Sequence, residues 1–173
     1  MLKMFSTQLT GLFNRLQEKE EFSMEDAARL LAQAAAGEGT IYFFGTKEMQ
    51  AIGLEAVYGE EPLQASAVLT DEAELEAADR VMIISRYTDD EEAVHIARKL
   101  QEKGIPFVAI STIRGENDGE GLHNLADVHI DLRIKKGLLP DESGNRVGFP
   151  TSIAALYVYF GLKFTIEEIL EEY

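Results

Sequence analysis

Hydroxyl-bearing and basic residues recur just past a series of short apolar runs. Gly45-Thr46-Lys47-Glu48 follows Thr40 to Phe44, and Ser85-Arg86-Tyr87-Thr88 follows Val81 to Ile84. Ser111-Thr112-Ile113-Arg114 follows Phe107 to Ile110, while Arg133, Lys135 and Lys136 come after Val128 to Leu132. Six of the 16 Lys and Arg residues therefore sit at equivalent points, in a chain whose 31 Asp and Glu give a formal net charge of −15. Turn amides, Ser and Thr hydroxyls and helix N-termini all donate to the oxygens of a small anion such as a phosphate monoester. Any one of these basic residues also reads as a loop marker balancing neighbouring acids; the cluster as a whole reads as a ligand site. Its candidate ligand-binding residues are Gly45, Thr46, Lys47, Ser85, Arg86, Tyr87 and Thr88.

Other chemistries are excluded or weakened by what is absent. There is no cysteine among the 173 residues, which removes disulfides, thiolate metal sites and cysteine nucleophiles. The three histidines, His95, His123 and His129, never fall at a metal-ligand spacing, so no metal and no cofactor are expected. Only Gly45 stands where a dinucleotide fold needs Gly-x-Gly-x-x-Gly, and there is no Walker loop. Ser85 occupies the strand end where a phosphoacceptor receiver would carry aspartate. The strongly acidic balance repels polyanions, which disfavours nucleic acid as a partner. The longest apolar stretch, Ile153 to Leu162, is too short for a membrane span, and the N-terminus has no leader-like run, so a soluble, cytoplasmic protein is expected.

The elements that must position these residues follow from periodicity. Leu2, Leu9, Leu12, Phe13 and Leu16 form one helical stripe that runs into Glu18-Lys19-Glu20-Glu21. Ser23-Met24-Glu25-Asp26 resembles a capping box, and Gly37 supplies a stop, so residues 1–37 are predicted to form an antiparallel helical hairpin. From Thr40 the pattern changes to five strand candidates: Thr40 to Phe44, Ala65 to Leu69, Val81 to Ile84, Phe107 to Ile110 and Val128 to Leu132. Runs apolar on both faces, joined by helices, predict a parallel sheet in a three-layer α/β/α sandwich, doubly wound by right-handed crossovers. The helix from about Glu48 to Tyr58 follows the first strand. Another carries Ala93, Ile96, Ala97 and Leu100 and ends at Gly104. Arg133 to Gly148 reads as a long surface loop, and Pro150 to Glu172 as the final helix. The whole chain is expected to be one domain, with the α/β sandwich spanning residues 40–173. Ligands of such sheets bind beyond the carboxyl ends of the strands, where strand order reverses.

From about Thr40 to Phe164 the chain resembles the sugar isomerase (SIS) domain family of phosphosugar isomerases and phosphosugar-binding regulators. Ile41-Tyr42-Phe43-Phe44-Gly45 looks like the family's first strand and turn. Val81-Met82-Ile83-Ile84-Ser85, with the acidic helix start Asp89-Asp90-Glu91-Glu92, looks like its central strand and phosphate loop. Lys103 to Ser111 and Leu125 to Asp131 match the next two units, and Arg146 to Ala154 is similar to the entrance of the last helix in phosphosugar-binding members. Within the family, the chain looks closest to small uncharacterised Firmicutes proteins carrying the label phosphoheptose isomerase. The departures are specific. The family's Ser-x-Ser-Gly-x-Thr loop is Ser85-Arg86-Tyr87-Thr88-Asp89-Asp90 here, Lys47-Glu48-Met49 stands where a serine usually opens the helix, and no histidine follows Thr151.

The resemblance implies a partner, a phosphorylated sugar or similar small anion, and adds the hydroxyls of Thr151 and Ser152 to the donor set. Aldose–ketose isomerisation needs a base that moves a proton between adjacent carbons and an acid at the carbonyl oxygen. Glu48 and Glu55 are the nearest carboxylates in sequence, and Glu55 is taken as the catalytic candidate; both also read as a solvated helix face. Two functions stay open: a phosphosugar isomerase, or a non-catalytic regulatory or scaffold module that keeps the fold with an altered phosphate loop. Apolar residues on several faces of the last helix, with Leu9, Phe13 and Leu16, further predict a two-fold homodimer.

Overall fold

The computed structural model describes residues 1–115 and 119–173. A long helix, α1 (Leu2–Ala36), precedes β1 (Ile41–Gly45), a 3₁₀ turn (Lys47–Met49) and α2 (Gln50–Tyr58). There follow β2 (Ser66–Val68), β3 (Arg80–Tyr87), α3 (Glu91–Lys103), β4 (Phe107–Thr112), α4 (Leu122–Leu125) and β5 (Val128–Asp131). A small ribbon of β6 (Leu139–Pro140) and β7 (Arg146–Val147) leads into α5 (Thr151–Glu171). β1 to β5 form one sheet in the order β2-β1-β3-β4-β5, every pair parallel. The predicted three-layer α/β/α sandwich with a five-stranded, doubly wound sheet is therefore the fold observed.

Side-chain alternation along the strands builds the two outer layers. Ile41, Phe43, Met82, Ile84, Val108, Ile110 and Ile130 face α1, α2 and α5 in the larger core. Val81, Ile83, Phe107 and Ala109 face α3 and α4 in the smaller one. Each central strand is apolar on both faces because each face has a helical layer to cover it. The ends of α3 are written locally: the Asp90 carboxylate accepts from the Ala93 amide at 3.0 Å, and Gly104 closes the helix at φ 68°.

The N-terminal hairpin is not formed; α1 is a single helix of 35 residues. Its buried stripe runs unbroken through Leu12, Leu16, Glu20, Ala27, Leu31 and Ala34, each one or two helical turns from the last. The charged run that looked like a break is the solvent face of this helix, apart from Glu20. Glu20 is buried because Arg133 donates to its Oε1 from Nε at 2.9 Å and from Nη2 at 2.6 Å. Ser23 makes no cap, since continuing the helix buries Ala27, Ala28 and Leu31 while a turn would expose them.

Two connections differ from expectation. The chain from β2 to β3 carries no helix and is held instead by Asp79, whose carboxylate accepts from the amides of Thr40 (2.8 Å) and Glu76 (2.7 Å). The segment read as a long loop contains the antiparallel β6–β7 ribbon, in which Leu139 pairs with Val147. Most of the apolar run of α5 is covered within the chain, by the sheet on one side and by α1 on the other. Phe13 stacks on Tyr157 with ring centroids 4.2 Å apart, and Tyr159 meets Phe43 edge-on at 5.9 Å. Phe22, Phe164 and Ile153 remain exposed. Among the described residues, no helix is long and apolar enough to cross a membrane.

Candidate functional site

Strand order reverses between β1 and β3: β2 lies on one side of β1, and β4 and β5 continue on the far side of β3. The crevice beyond the carboxyl ends of these two strands is the position where such sheets take ligands. A cleft of about 430 Å³ lies there, lined by Glu48, Arg86, Tyr87, Phe149, Thr151 and Ser152. Three local devices build it. Gly45 ends β1 in a turn so tight that a Cβ would stand 2.3 Å from the Met49 carbonyl oxygen, and Lys47 follows at φ 51°, in the left-handed region. This turn carries Glu48. The register of β3 against β4 shifts between Ile84 and Tyr87, a bulge that re-aims the side chains of the strand end where Arg86 sits. The third device is α5 itself, which begins at Thr151 behind Pro150.

The charges of the cleft are arranged as a pair. Arg86 donates from Nε to Glu48 Oε1 at 2.5 Å, and both side chains are roughly half-exposed. The hydrogen bond from Arg86 holds the Glu48 carboxyl below the usual carboxylate range, and Glu48 in turn raises the guanidinium. Neither Nη of Arg86 has a hydrogen-bond acceptor among the described residues. Beside them α5 opens with no side-chain cap and no acidic residue in its first turn. Its first amides, the Thr151 and Ser152 hydroxyls and the free edge of Arg86 form an anion-accepting wall. Tyr87 and Phe149 add aromatic surface; the Tyr87 ring is held by the Arg114 guanidinium, 4.1 Å from its centroid.

The other expected donors are placed elsewhere. Thr46 is buried and donates to Asp90 Oδ2 at 3.2 Å, tying β1 to the cap of α3. Ser85 is buried and donates to the Tyr87 carbonyl at 2.8 Å. Thr88 is buried, its amide donating to the Thr112 carbonyl and its carbonyl accepting from the Leu122 amide. Gly45 and Lys47 border a separate hollow with Gln50, Leu54 and Glu92. Glu55 stands near the C-terminal end of α2 and does not line the cleft. The structure thus brings Arg86, Tyr87, Thr151 and Ser152 together and leaves the rest of the set outside.

The N-terminus of α3, where the resemblance places a phosphate, already holds the Asp90 carboxylate, with Glu91 and Glu92 in the first turn. The three arginines past the strand ends are likewise paired: Arg86 with Glu48, Arg114 with Asp89 and Arg133 with Glu20. His129 lies on the α3–α4 face, its Nε2 2.8 Å from Ser111 Oγ, and burial pushes its pKa down to about 4. The His123 ring is 6.1 Å from it. No group of three acidic or histidine side chains that could hold a metal occurs among the described residues. Phe149 was missed as a lining residue, and its place directly before Pro150 and the helix start was the available signal.

The fold, a five-stranded parallel sheet in the order β2-β1-β3-β4-β5 between two helical layers, is shared with solved sugar isomerase domains. The chain aligns over 99% of its length with the sugar isomerase domain of an RpiR transcription factor from Sphaerobacter thermophilus, covering 96% of that chain at TM-score 0.57 and 14% identity. It aligns over 97% of its length with the NanR protein of Vibrio vulnificus, solved in complex with ManNAc-6P, covering 62% of that chain at TM-score 0.62 and 15% identity. The chain belongs to the family described as "Domain of unknown function (DUF2529)", whose model matches residues 1–170. The protein YwjG of Bacillus subtilis (strain 168), described as uncharacterized, is 44% identical over 174 residues, covering 100% of this chain and 99% of that protein.

Proposed function

We propose that this protein binds a phosphorylated sugar in the β1–β3 cleft, with the phosphate on Arg86 and the first turn of α5. The observation that carries this reading is the uncapped, acid-free start of a 21-residue helix opening beside an arginine whose Nη atoms have no acceptor among the described residues. The ManNAc-6P complex of NanR supports the ligand class. In this reading the sugar packs against Tyr87 and Phe149. The test is thermal unfolding with ribose 5-phosphate, fructose 6-phosphate, sedoheptulose 7-phosphate or ManNAc-6P, each at about 10 mM. A ligand that binds the native state at a concentration of 100 Kd stabilises it by about 2.7 kcal/mol. At least one compound is expected to raise the melting temperature, and Arg86→Ala to abolish the rise. No rise with any of the four would end the proposal.

Binding without turnover is the reading we favour over phosphoheptose-type isomerisation. A general base works best with a pKa near the operating pH. Glu48, a carboxylate in the cleft, is held below its usual range, and among the described residues no histidine lines the cleft. Deuterium exchange at the sugar carbon next to the carbonyl, followed by NMR in D2O, decides the point. Exchange that is lost in Glu55→Gln or Glu48→Gln would establish isomerase chemistry. We also infer a two-fold homodimer through the exposed Phe22 and Phe164 of α1 and α5, to be checked by light scattering; a monomer at micromolar concentration would refute it.

A further inference from the structure

Glu48 is an unexpected side chain to find in an anion cleft. It places a full negative charge against the arginine that the proposed phosphate needs, and the turn that holds it there is costly. That turn requires a glycine at position 45, and it puts Lys47 in a backbone region where side-chain-bearing residues are uncommon. An exposed ion pair is worth little to stability, about 0–1 kcal/mol, so stability does not account for the arrangement. The pairing geometry suggests another role. Glu48 takes only Nε of Arg86, through Oε1. The two Nη atoms stay available, and among the described residues no side chain other than Arg86 donates to the Glu48 carboxylate. One edge of the pair can therefore accept from a hydroxyl while the other donates to an anion.

We propose that Glu48 is a specificity-determining residue that makes the cleft select a sugar phosphate over free inorganic phosphate. The inference rests on the phosphosugar-binding reading. Bare phosphate meets the Arg86 fork and the α5 amides, but it also meets the Glu48 charge and offers that charge little in return. A sugar phosphate meets the same repulsion and offsets it, because its hydroxyls donate to the carboxylate. Hydrogen bonds to a charged acceptor are about twice as strong as neutral ones. Tyr87 and Phe149 line the same cleft and can hold the ring, where inorganic phosphate has nothing to place.

The experiment measures Kd for inorganic phosphate and for the tightest of the four sugar phosphates, by calorimetry, on wild type, Glu48→Gln and Glu48→Ala. Removing one unit charge about 4 Å away in a water-like medium changes affinity about fivefold per ligand charge. Inorganic phosphate is therefore expected to bind both variants at least about fivefold more tightly, the gain shrinking as salt is raised. The sugar phosphate is expected to gain less or to weaken, so its preference over phosphate falls at least about fivefold. The readout is a ratio within each variant, so a change in the folded fraction cancels, and circular dichroism checks that each variant is folded. If both ligands shift by the same factor, or inorganic phosphate does not tighten, Glu48 does not set the preference and the binding reading survives. If no sugar phosphate binds wild type or either variant, the binding reading fails and this inference fails with it.

Discussion

Replacing Tyr159 by phenylalanine is expected to make the protein more stable, against the usual direction of core substitutions. Tyr159 is 1% exposed, and its hydroxyl is buried without a hydrogen-bond partner among the described residues. The nearby ammonium of Lys163 is already donating to Glu167 Oε1 at 2.6 Å. A buried hydroxyl without a partner costs about 1–3 kcal/mol. Tyr159→Phe removes that cost and keeps the ring contacts with Phe43 at 5.9 Å and Phe160 at 5.3 Å. The space vacated is one oxygen atom, less than a methyl group, so the cavity penalty stays below about 1 kcal/mol. The net gain is about 1 kcal/mol, or about 2–4 °C in melting temperature for a chain of this size. A second signature appears in alkali. Burial, reinforced by the negative charges of Glu55 and Glu167, pushes the Tyr159 hydroxyl above its ordinary pKa of 10.0. The unfolded chain ionises there while the native state does not, so this group's contribution to stability is intact below that pH and declines above it. Urea unfolding of both proteins at about pH 7 and about pH 10.5 measures both effects, and the advantage of the variant should widen at the higher pH. A variant less stable than wild type by more than about 1 kcal/mol at neutral pH would show that the hydroxyl has a partner and refute the reasoning.

Two further predictions concern charged groups in and just after β5. His129 is held neutral, with its pKa near 4, while an unfolded histidine protonates around 6.5; wild type should lose up to about 3 kcal/mol of stability as pH falls from 6.5 to 4. His129→Gln should flatten that part of the profile, and parallel profiles for the two proteins would count against it. Arg133→Ala should cost about 2–4 kcal/mol, because it strips two of the hydrogen bonds from a Glu20 side chain that is 5% exposed. Arg98→Ala breaks an exposed pair with Glu120 and should cost less than about 1 kcal/mol. Equal losses in denaturant unfolding would mean that Glu20 is solvated.

What the sequence displayed and what it hid divide along sequence separation. The strand Val81 to Ile84 was legible because a doubly buried strand is apolar at every position, and α3 because Asp90 and Gly104 mark its ends within its own residues. The continuity of α1 was not. Its local signals at Ser23 spoke for a start; the core burial of Ala27, Ala28 and Leu31 overrides them, and Glu20, within the run that reads as a break, is held by Arg133, 113 positions away. The site follows the same division. The basic residues after the strands could be counted, but their partners could not: Glu48 is 38 positions from Arg86, and Asp89 is 25 from Arg114. A bulge at the end of β3 leaves no mark in composition, yet it falls on the segment where Ser85 is buried and Arg86 lines the cleft. Burial then turned the hydroxyls of Thr46 and Ser85 inward, where they satisfy Asp90 and the Tyr87 carbonyl.

These placements give the departures from the resemblance at Arg86 and Asp90 a physical meaning. The helices α3 and α5 both begin near the carboxyl end of the sheet, and each could offer amides to an anion. At α3 the offer is taken by the chain's own Asp90, and Glu91 and Glu92 add like charge to the same turn. A phosphate there would have to displace a carboxylate that is bonded to both Ala93 and Thr46. At α5 the first turn carries no acid and no cap, and Arg86 stands beside it on the bulge of β3. The arginine and aspartate of the segment after β3 therefore act at two helix termini: Asp90 occupies the start of α3, and Arg86 stands beside the start of α5. Under the proposed reading, the anion sits at the start of α5 and not at the start of α3, where the resemblance would place it. The cost of that placement is that the site shares its cation with Glu48, which is why selectivity in this protein should depend on a carboxylate.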